Sequence, residues 1–164
     1  MSTDDKTSAQ PTRWVDLERV YAAPRERVFA AWTDPDQVAQ WWGPDGFDAP
    51  REKLEIDLRV GGRFAITMVV RDPAIAEGMG VAVGAEFPDH TEIIELVEPE
   101  FLVLRAAAQP EFGLPVETVN RIEFHAEGDS TRVVVRSGPY TDQMGGHAEA
   151  GFSQQLEKLV ALLG

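Results

Sequence analysis

The three histidines are the side chains of this sequence best suited to acid–base chemistry near neutral pH or to zinc binding. His90, His125 and His147 are far apart along the chain, and none has the i, i+4 partner that helical zinc motifs use. The chain has no cysteine, so thiolate metal sites and a cysteine nucleophile are excluded. We therefore expect neither a metal nor a cofactor.

His125 has the most suggestive neighbours, because Glu123 and Glu127 flank it at two-residue spacing. On a strand this spacing puts the three side chains on one face, where the carboxylates could hold the histidine as a base. Ile122 and Phe124 lie on the opposite, apolar face of the same strand. We expect the polar face to be a solvated ladder with arginines of the next strand, and we assign no catalytic residue.

Other motifs of catalysis and phosphate binding are missing from the sequence. No serine stands in a Gly-x-Ser-x-Gly elbow, and Gly61-Gly62 and Gly145-Gly146 lack the Lys and Ser/Thr of a P-loop. The formal charge of −13, from 15 basic and 28 acidic residues, disfavours nucleic acid as a partner. No uncharged apolar run approaches the ~18 residues of a membrane helix, so we expect no membrane insertion.

The length of 164 residues is typical of one domain. Residues 1–12 are small, polar and acidic, without the basic start and apolar run of a secretory signal. We expect a disordered tail over residues 1–12, a single domain over residues 13–164 and a cytoplasmic location.

The first part of the domain is predicted to be a strand followed by two short helices. Apolar and polar residues alternate over residues 14–21, and a helical pattern covers about residues 24–32. Asp34-Pro35 begins the second helix and Gly43-Pro44 ends it. Adjacent helical side chains diverge by ~100°. We therefore expect one of Trp41 and Trp42 to be buried and the other to be partly exposed, unless residues 71–89 cover it.

The middle of the chain is predicted to form a hairpin and a long loop. Residues 47–60 read as one strand and residues 64–70 as its partner. Their apolar residues share one face only if the loop has three residues that include Arg63, or contains a bulge, and we expect one of these. Residues 71–89 are predicted to be a loop with a short strand near 81–83, either a lid or a passive insertion.

The remaining elements complete an α+β arrangement. Strands are predicted at residues 91–97, 101–108, 118–126 and 131–137, with Ala126 opposite Thr131 in the last hairpin. A helical stripe follows from about residue 145 to 163, formed by Ala148, Phe152, Leu156, Leu159, Val160 and Leu163. The sequence thus predicts an antiparallel sheet with a long terminal helix laid against it.

Four segments carry a resemblance to a known family: VFAAWTDPDQVAQWWGPDGF, IDLRVGGRF, ELVEPEFLV and GFSQQLEKLVALL. In this order and spacing they closely resemble the homologues of the activator of Hsp90 ATPase, within the START-like (SRPBCC) helix-grip superfamily. The resemblance implies a curved antiparallel sheet gripping the C-terminal helix, with a cavity that takes hydrophobic small molecules. Two features depart from the family: Phe152 replaces a common Trp, and residues 71–89 are longer and richer in Ala and Gly.

The candidate site is the cavity that this resemblance implies. We expect it to be lined by Trp32, Trp41, Phe64, Ile66, Met68, Phe124, Phe152 and Leu156, although each of these side chains could equally fill the core. His90 and Arg105 are the candidate polar groups of the cavity.

Three functions are compatible with these features. The first is binding of a hydrophobic or aromatic small molecule, in a stress-related role. The second is a co-chaperone-like interaction module, whose negative charge and exposed tryptophan would contact a chaperone or another protein. The third is an enzyme acting on a hydrophobic substrate in the same cavity. Exposed sheet edges leave a monomer and a homodimer open.

Overall fold

An antiparallel sheet and a long C-terminal helix dominate the structure, a computed structural model that describes residues 10–163. The predicted disordered tail falls mainly on residues 1–9, which lie outside the described part. The elements are β1 (Arg13–Tyr21), α1 (Arg25–Thr33), α2 (Pro35–Trp41), β2 (Phe47–Asp48), β3 (Leu54–Ile56), β4 (Arg63–Val70), α3 (Pro73–Met79), β5 (Glu86–Val97), β6 (Phe101–Ala106), β7 (Thr118–Glu127), β8 (Ser130–Tyr140) and α4 (Asp142–Leu163).

The sheet is curled, and α4 lies against its inner face. Its strand order is β1-β8-β7-β6-β5-β4-β2, and β3 also pairs with β4. The helix α4 contacts β1 and β8 on one side and α2 on the other. Within residues 10–163, none of the helices has the length and apolar character required to cross a membrane.

The boundary between α1 and α2 follows the predicted capping. The Asp34 carboxylate accepts a hydrogen bond from the Asp36 amide at 3.0 Å, and Pro35 occupies the first turn, where no amide donor is needed. The chain then leaves α2 after Trp41. The two short helices therefore form the predicted pair and pack against each other.

The expectation that one of two adjacent tryptophans would be exposed is wrong. Trp41 is 1% exposed and Trp42 is 7% exposed. The helix ends at Trp41, and Trp42 has an extended backbone with φ −67° and ψ 145°, so the ~100° divergence of helical neighbours no longer applies. The Trp42 ring packs 5.8 Å from the rings of both Trp32 and Phe64.

The predicted long strand over residues 47–60 is broken in the structure. A 3-10 turn at Arg51–Lys53 separates β2 from β3, and β3 ends at Ile56. Leu54 pairs with Ile66, so the apolar residues of β3 and β4 share one face as expected. The irregular segment, however, is residues 57–62, and Arg63 already belongs to β4. Gly62 is required there, because a Cβ would lie 2.0 Å from the Asp57 carbonyl oxygen.

Residues 71–89 are not a loop, and the predicted strand near residues 81–83 is wrong. The Asp72 carboxylate accepts a hydrogen bond from the Ala74 amide at 2.8 Å and begins α3. Gly80 ends this helix in the left-handed conformation, with φ 74°. The strand β5 then begins at Glu86, so residues 86–89 belong to the sheet.

The last hairpin and the terminal helix agree closely with the predicted pattern. Ala126 pairs with Thr131, and Phe124 with Val133, as expected. In α4 the buried apolar residues are Leu156, Leu159 and Leu163. Val160 does not belong to this stripe, because 40% of its surface is exposed.

Candidate functional site

A cavity of about 380 Å³ lies between the inner face of the sheet and the first half of α4. Its helical wall contains the small residues Ala148 and Gly151, which leave space that larger side chains would fill. One turn further on, Leu156 and Leu159 fill the space completely, since each is 1% exposed or less. The volume is within the range of ~300–1,000 Å³ that is typical of small-molecule sites.

The walls of the cavity are mainly aromatic rings and thioethers. They are formed by Trp42, Met68, Phe87, Phe112, Met144 and Phe152, among others. Met79 and Phe112 also form the rim, because they line the cavity and are 47% and 49% exposed. Methionine adapts its shape to a neighbour and aromatic rings offer large flat surfaces, so these walls suit an apolar or aromatic ligand.

Several polar side chains face the cavity from the inner face of the sheet. Asp89 on β5 lies opposite Ile66, and Asn120 on β7 lies between Leu104 and Ser137 in the register. Tyr140, at the end of β8, and Thr118, at the start of β7, complete this set. Apolar walls with a few convergent polar groups are the usual composition of a ligand site.

Tyr140, Ser137 and Asn120 form a hydrogen-bonded chain along one wall. The Ser137 hydroxyl donates to Asn120 Oδ1, so the Tyr140 hydroxyl donates to Ser137 Oγ at 2.5 Å. Burial raises the pKa of the Tyr140 phenol, the hydrogen bond between Tyr140 and Ser137 opposes this, and the nearby charge of Asp89 adds to the rise. Tyr140 is therefore neutral near pH 7, and its oxygen retains acceptor capacity toward the cavity.

Gln155 contributes an amide donor from the helical wall. Its Oε1 accepts a hydrogen bond from the Gly43 amide at 3.1 Å. Its Nε2 is buried and has no hydrogen-bond partner among the described residues, and the side chain lines the cavity. A buried donor without a partner is costly, so Nε2 is available to an acceptor inside the cavity.

Asp89 is the acidic group of the cavity. Its carboxyl makes no side-chain hydrogen bond or ion pair with another residue in the described range 10–163, and it keeps partial accessibility where it lines the cavity. Burial raises the pKa of Asp89, and the charge of His90 opposes this rise. The protein thus places a carboxyl beside apolar walls without a side-chain partner in the described range.

Only two of the eight predicted lining residues are found at the cavity wall, namely Met68 and Phe152. The other six form the packed core beneath it and are each 2% exposed or less: Trp32, Trp41, Phe64, Ile66, Phe124 and Leu156. They support the wall without touching the cavity.

The expectation that His90 and Arg105 would face the cavity is wrong. Both side chains are exposed on the outer face of the sheet, where Arg105 Nη2 donates to Glu92 Oε1 at 2.7 Å. Successive strand residues point to opposite faces, so Asp89 faces inward because His90 faces outward. The polar cavity-lining residues that the sequence analysis did not identify are Asp89, Asn120, Tyr140 and Gln155. Counting strand parity back from the buried Thr91 would have identified Asp89.

The carboxylate and histidine ladder of β7 lies on the outer face, as expected. Glu123 accepts a hydrogen bond from Arg121 Nε at 2.6 Å, and Glu123 Oε1 lies 2.8 Å from His125 Nε2. The hydrogen bond from Arg121, followed by that from His125, lowers the pKa of Glu123. The ladder is solvated and separate from the cavity. Among residues 10–163, no cluster of three or more His, Asp or Glu side chains could hold a metal ion.

Comparison with known proteins identifies a family for this chain. A profile of the family described as activator of Hsp90 ATPase homolog 1-like protein matches residues 22–164. Comparison with the curated proteins gave no match. Protein CV1439 from Chromobacterium violaceum is 26% identical and has a TM-score of 0.76, over 92% of this chain and 96% of that chain.

Two further solved structures share the fold at lower identity. The AHSA1 protein from Silicibacter pomeroyi is 22% identical, with a TM-score of 0.74, over 92% of this chain and 97% of that chain. CalU16 from Micromonospora echinospora is 20% identical, with a TM-score of 0.64, over 95% of this chain and 79% of that chain. These likenesses agree with the curled sheet and long helix, and the predicted helix-grip fold is confirmed.

Proposed function

The chain belongs to the activator of Hsp90 ATPase homolog 1-like protein family, and from this premise we propose that it binds an apolar or aromatic small molecule between the sheet and α4. Proteins of this fold typically bind hydrophobic ligands. The observation that carries the proposal is the cavity of about 380 Å³, with aromatic and thioether walls and a few polar groups on one side.

The size of the apolar wall sets the expected kind of ligand. Removing one aromatic ring of ~150 Å² from water contributes about 4 kcal/mol at ~25 cal/mol per Å². Ordering the ligand offsets part of this gain, so one ring gives only weak binding. A ligand with two rings, or with a ring and an alkyl chain, would use more of the wall and bind more tightly.

The experiment blocks the cavity from its helical wall. Ala148 lines the cavity on α4, and Ala148→Phe would place a ring inside it. Val160→Phe is the matched control, because Val160 is exposed on the same helix. Thermal stability is measured with a panel of lipids and bicyclic aromatics. At a ligand concentration near 100 times Kd, binding adds about 2.7 kcal/mol to the free energy of unfolding.

We expect ligands to raise the Tm of the wild type and of Val160→Phe, but not that of Ala148→Phe. The proposal fails if no panel member raises the Tm of the wild type. It also fails if Ala148→Phe, folded by circular dichroism, responds to ligands as the wild type does.

No specific observation favours either of the other two functions. The interaction module retains the negative charge that suggested it but loses the exposed tryptophan, because Trp42 is buried. The candidate polar groups of the enzyme, His90 and Arg105, lie on the outer face. We therefore advance ligand binding alone.

A further inference from the structure

We infer that the ligand carries a positively charged nitrogen and that Asp89 selects it, an inference that rests on the binding function proposed above. An unpaired carboxyl at an apolar wall, an acceptor oxygen in the same cavity and several aromatic rings carry this inference together. The expected ligand class is an apolar or aromatic amine, protonated near pH 7.

The ionisable side chains of the cavity lining are acidic. Of the described residues that line the cavity, Asp89 and Tyr140 are the ionisable ones, and both are acids; no lysine, arginine or histidine takes part. A carboxylate or phosphate ligand would have no counter-charge in this cavity. A ligand ammonium would meet one at Asp89, in surroundings where water screens the interaction weakly.

The Asp89 carboxyl has no hydrogen-bond or ion-pair partner among the side chains of residues 10–163. Carboxyl groups removed from bulk water in folded proteins normally accept hydrogen bonds or pair with a base. The arginines of β6, β7 and β8 instead pair with carboxylates on the outer face of the sheet, as Arg105 does with Glu92. The acceptor capacity of Asp89 is therefore left for a donor that enters the cavity.

Tyr140 supplies a second acceptor for the same ligand group. Its hydroxyl hydrogen is donated to Ser137 Oγ, which leaves the phenol oxygen as an acceptor. Asp89 and Tyr140 both line the cavity, and the charge of Asp89 contributes to the raised pKa of Tyr140. An ammonium has several N–H donors and can use both oxygens.

The aromatic wall favours the same chemistry. Trp42, Phe87, Phe112 and Phe152 line the cavity, and the faces of aromatic rings attract ammonium groups. They also bury the apolar part of the ligand. A neutral alcohol of the same shape would gain the apolar contacts but not the ion pair.

The test compares three ligands that differ in one group: phenylbutylamine, phenylbutanol and phenylbutyrate. A second set on a naphthylmethyl scaffold repeats the comparison. Affinities are measured by isothermal titration calorimetry at pH 7 on the wild type, Asp89→Asn and Glu95→Gln. Glu95 is exposed on the same strand as Asp89, so its substitution controls for the loss of one negative charge.

For the wild type and Glu95→Gln, we expect each amine to bind about tenfold or more tightly than its alcohol, with the carboxylate weakest. Asp89→Asn should lose the preference for the amine and keep its affinity for the alcohol. The wild-type comparison stands by itself even if a variant does not fold.

Two results would overturn the inference while leaving the binding function intact. One is equal or tighter binding of the alcohol or carboxylate to the wild type. The other is an amine preference that persists in Asp89→Asn. If no member of either series and no member of the wider panel binds the wild type, the proposed function itself fails and the inference fails with it.

Discussion

At the scale of single residues, the cavity is defined by which of two neighbouring polar side chains faces inward. Asp89 and His90 are adjacent on β5, yet one lines the cavity and the other is exposed on the outer face. Tyr140, Asn120 and Ser137 satisfy one another, whereas Asp89 has no such partner in the described chain. The carboxyl of Asp89 is therefore expected to favour binding of the proposed ligand and to lower the stability of the unliganded protein.

Asp89→Asn is predicted to stabilise the unliganded protein near pH 7. Burial raises the pKa of Asp89, so the folded state favours its neutral form. The associated stability is fully present below the ordinary carboxyl pKa of ~3.9 and is lost as pH rises through the raised value. Removing the carboxyl should increase the free energy of unfolding at pH 7 by roughly 0.5–2 kcal/mol, the usual size of a stabilising substitution.

Urea denaturation at several pH values checks this prediction. The gain from Asp89→Asn should be largest near pH 7 and should vanish toward pH 3. The charged and titratable groups near Asp89 are His90 on its own strand and Tyr140 on β8. Glu95→Gln, on the exposed face, should change stability by no more than ~0.5 kcal/mol at any pH. A gain that is independent of pH would contradict the burial argument.

At the scale of elements, α4 has a different task in each half. Its second half packs Leu156, Leu159 and Leu163 against the sheet and anchors the helix. All three glycines of this 22-residue helix, Gly145, Gly146 and Gly151, lie in its first half. Glycine disfavours the helical conformation, so the helix is weaker where it borders the cavity. The Arg13 side chain supports this half, because Nη1 donates to the Asp142 carbonyl and Nη2 pairs with Glu149.

The adjacent glycines of α4 are predicted to respond oppositely to alanine. A Cβ on Gly146 would lie 3.8 Å from Arg13 Nη1, an ordinary contact, so Gly146→Ala should gain about 0.5–1 kcal/mol from helix propensity. A Cβ on Gly145 would lie 2.4 Å from Arg13 Cδ, so Gly145→Ala must displace Arg13 and its two contacts. Guanidinium denaturation should show a gain for Gly146→Ala and none, or a loss, for Gly145→Ala. Equal gains for both would contradict this account of Gly145.

At the scale of the whole molecule, charge is concentrated outside and apolar surface inside. Arginines on the outer face of the sheet pair with carboxylates of the neighbouring strands, as Arg136 does with Asp16. The formal charge nevertheless remains −13. Such a field draws cations toward the surface and repels anions, in agreement with a cavity whose ionisable lining is acidic.

The association rate of an amine ligand is predicted to fall with added salt. The Debye length shortens from ~30 Å at 0.01 M to ~8 Å at 0.15 M ionic strength, which screens the long-range attraction. Stopped-flow tryptophan fluorescence with phenylbutylamine measures this rate, because Trp42 lines the cavity. Phenylbutanol is the control, and its association rate should stay constant. Equal salt effects on both ligands would show that the field does not steer the amine.

Local signals in the sequence determined several elements correctly. Asp34-Pro35 marks the start of α2, the alternation of residues 118–135 sets the register of the last hairpin, and the leucine stripe identifies α4. Each depends on hydrogen bonds or on a period within a few residues. Asp72-Pro73 carries the same capping signal at the start of α3. This helix was nevertheless not predicted, because it buries only Ala76 and has no amphipathic stripe.

Only the tertiary structure decided which apolar residues fill the core and which line the cavity. Ile66 and Met68 lie on the same face of β4, yet Ile66 is 1% exposed in the core and Met68 lines the cavity. Their alternation in sequence is identical. The difference depends on which residues of other elements lie against each side chain. Met68 borders the cavity that Gly151 and Phe152 of α4 also line, whereas Ile66 belongs to the same core cluster as Leu156. These neighbours are far apart in the chain, whereas strand alternation is a property of adjacent residues.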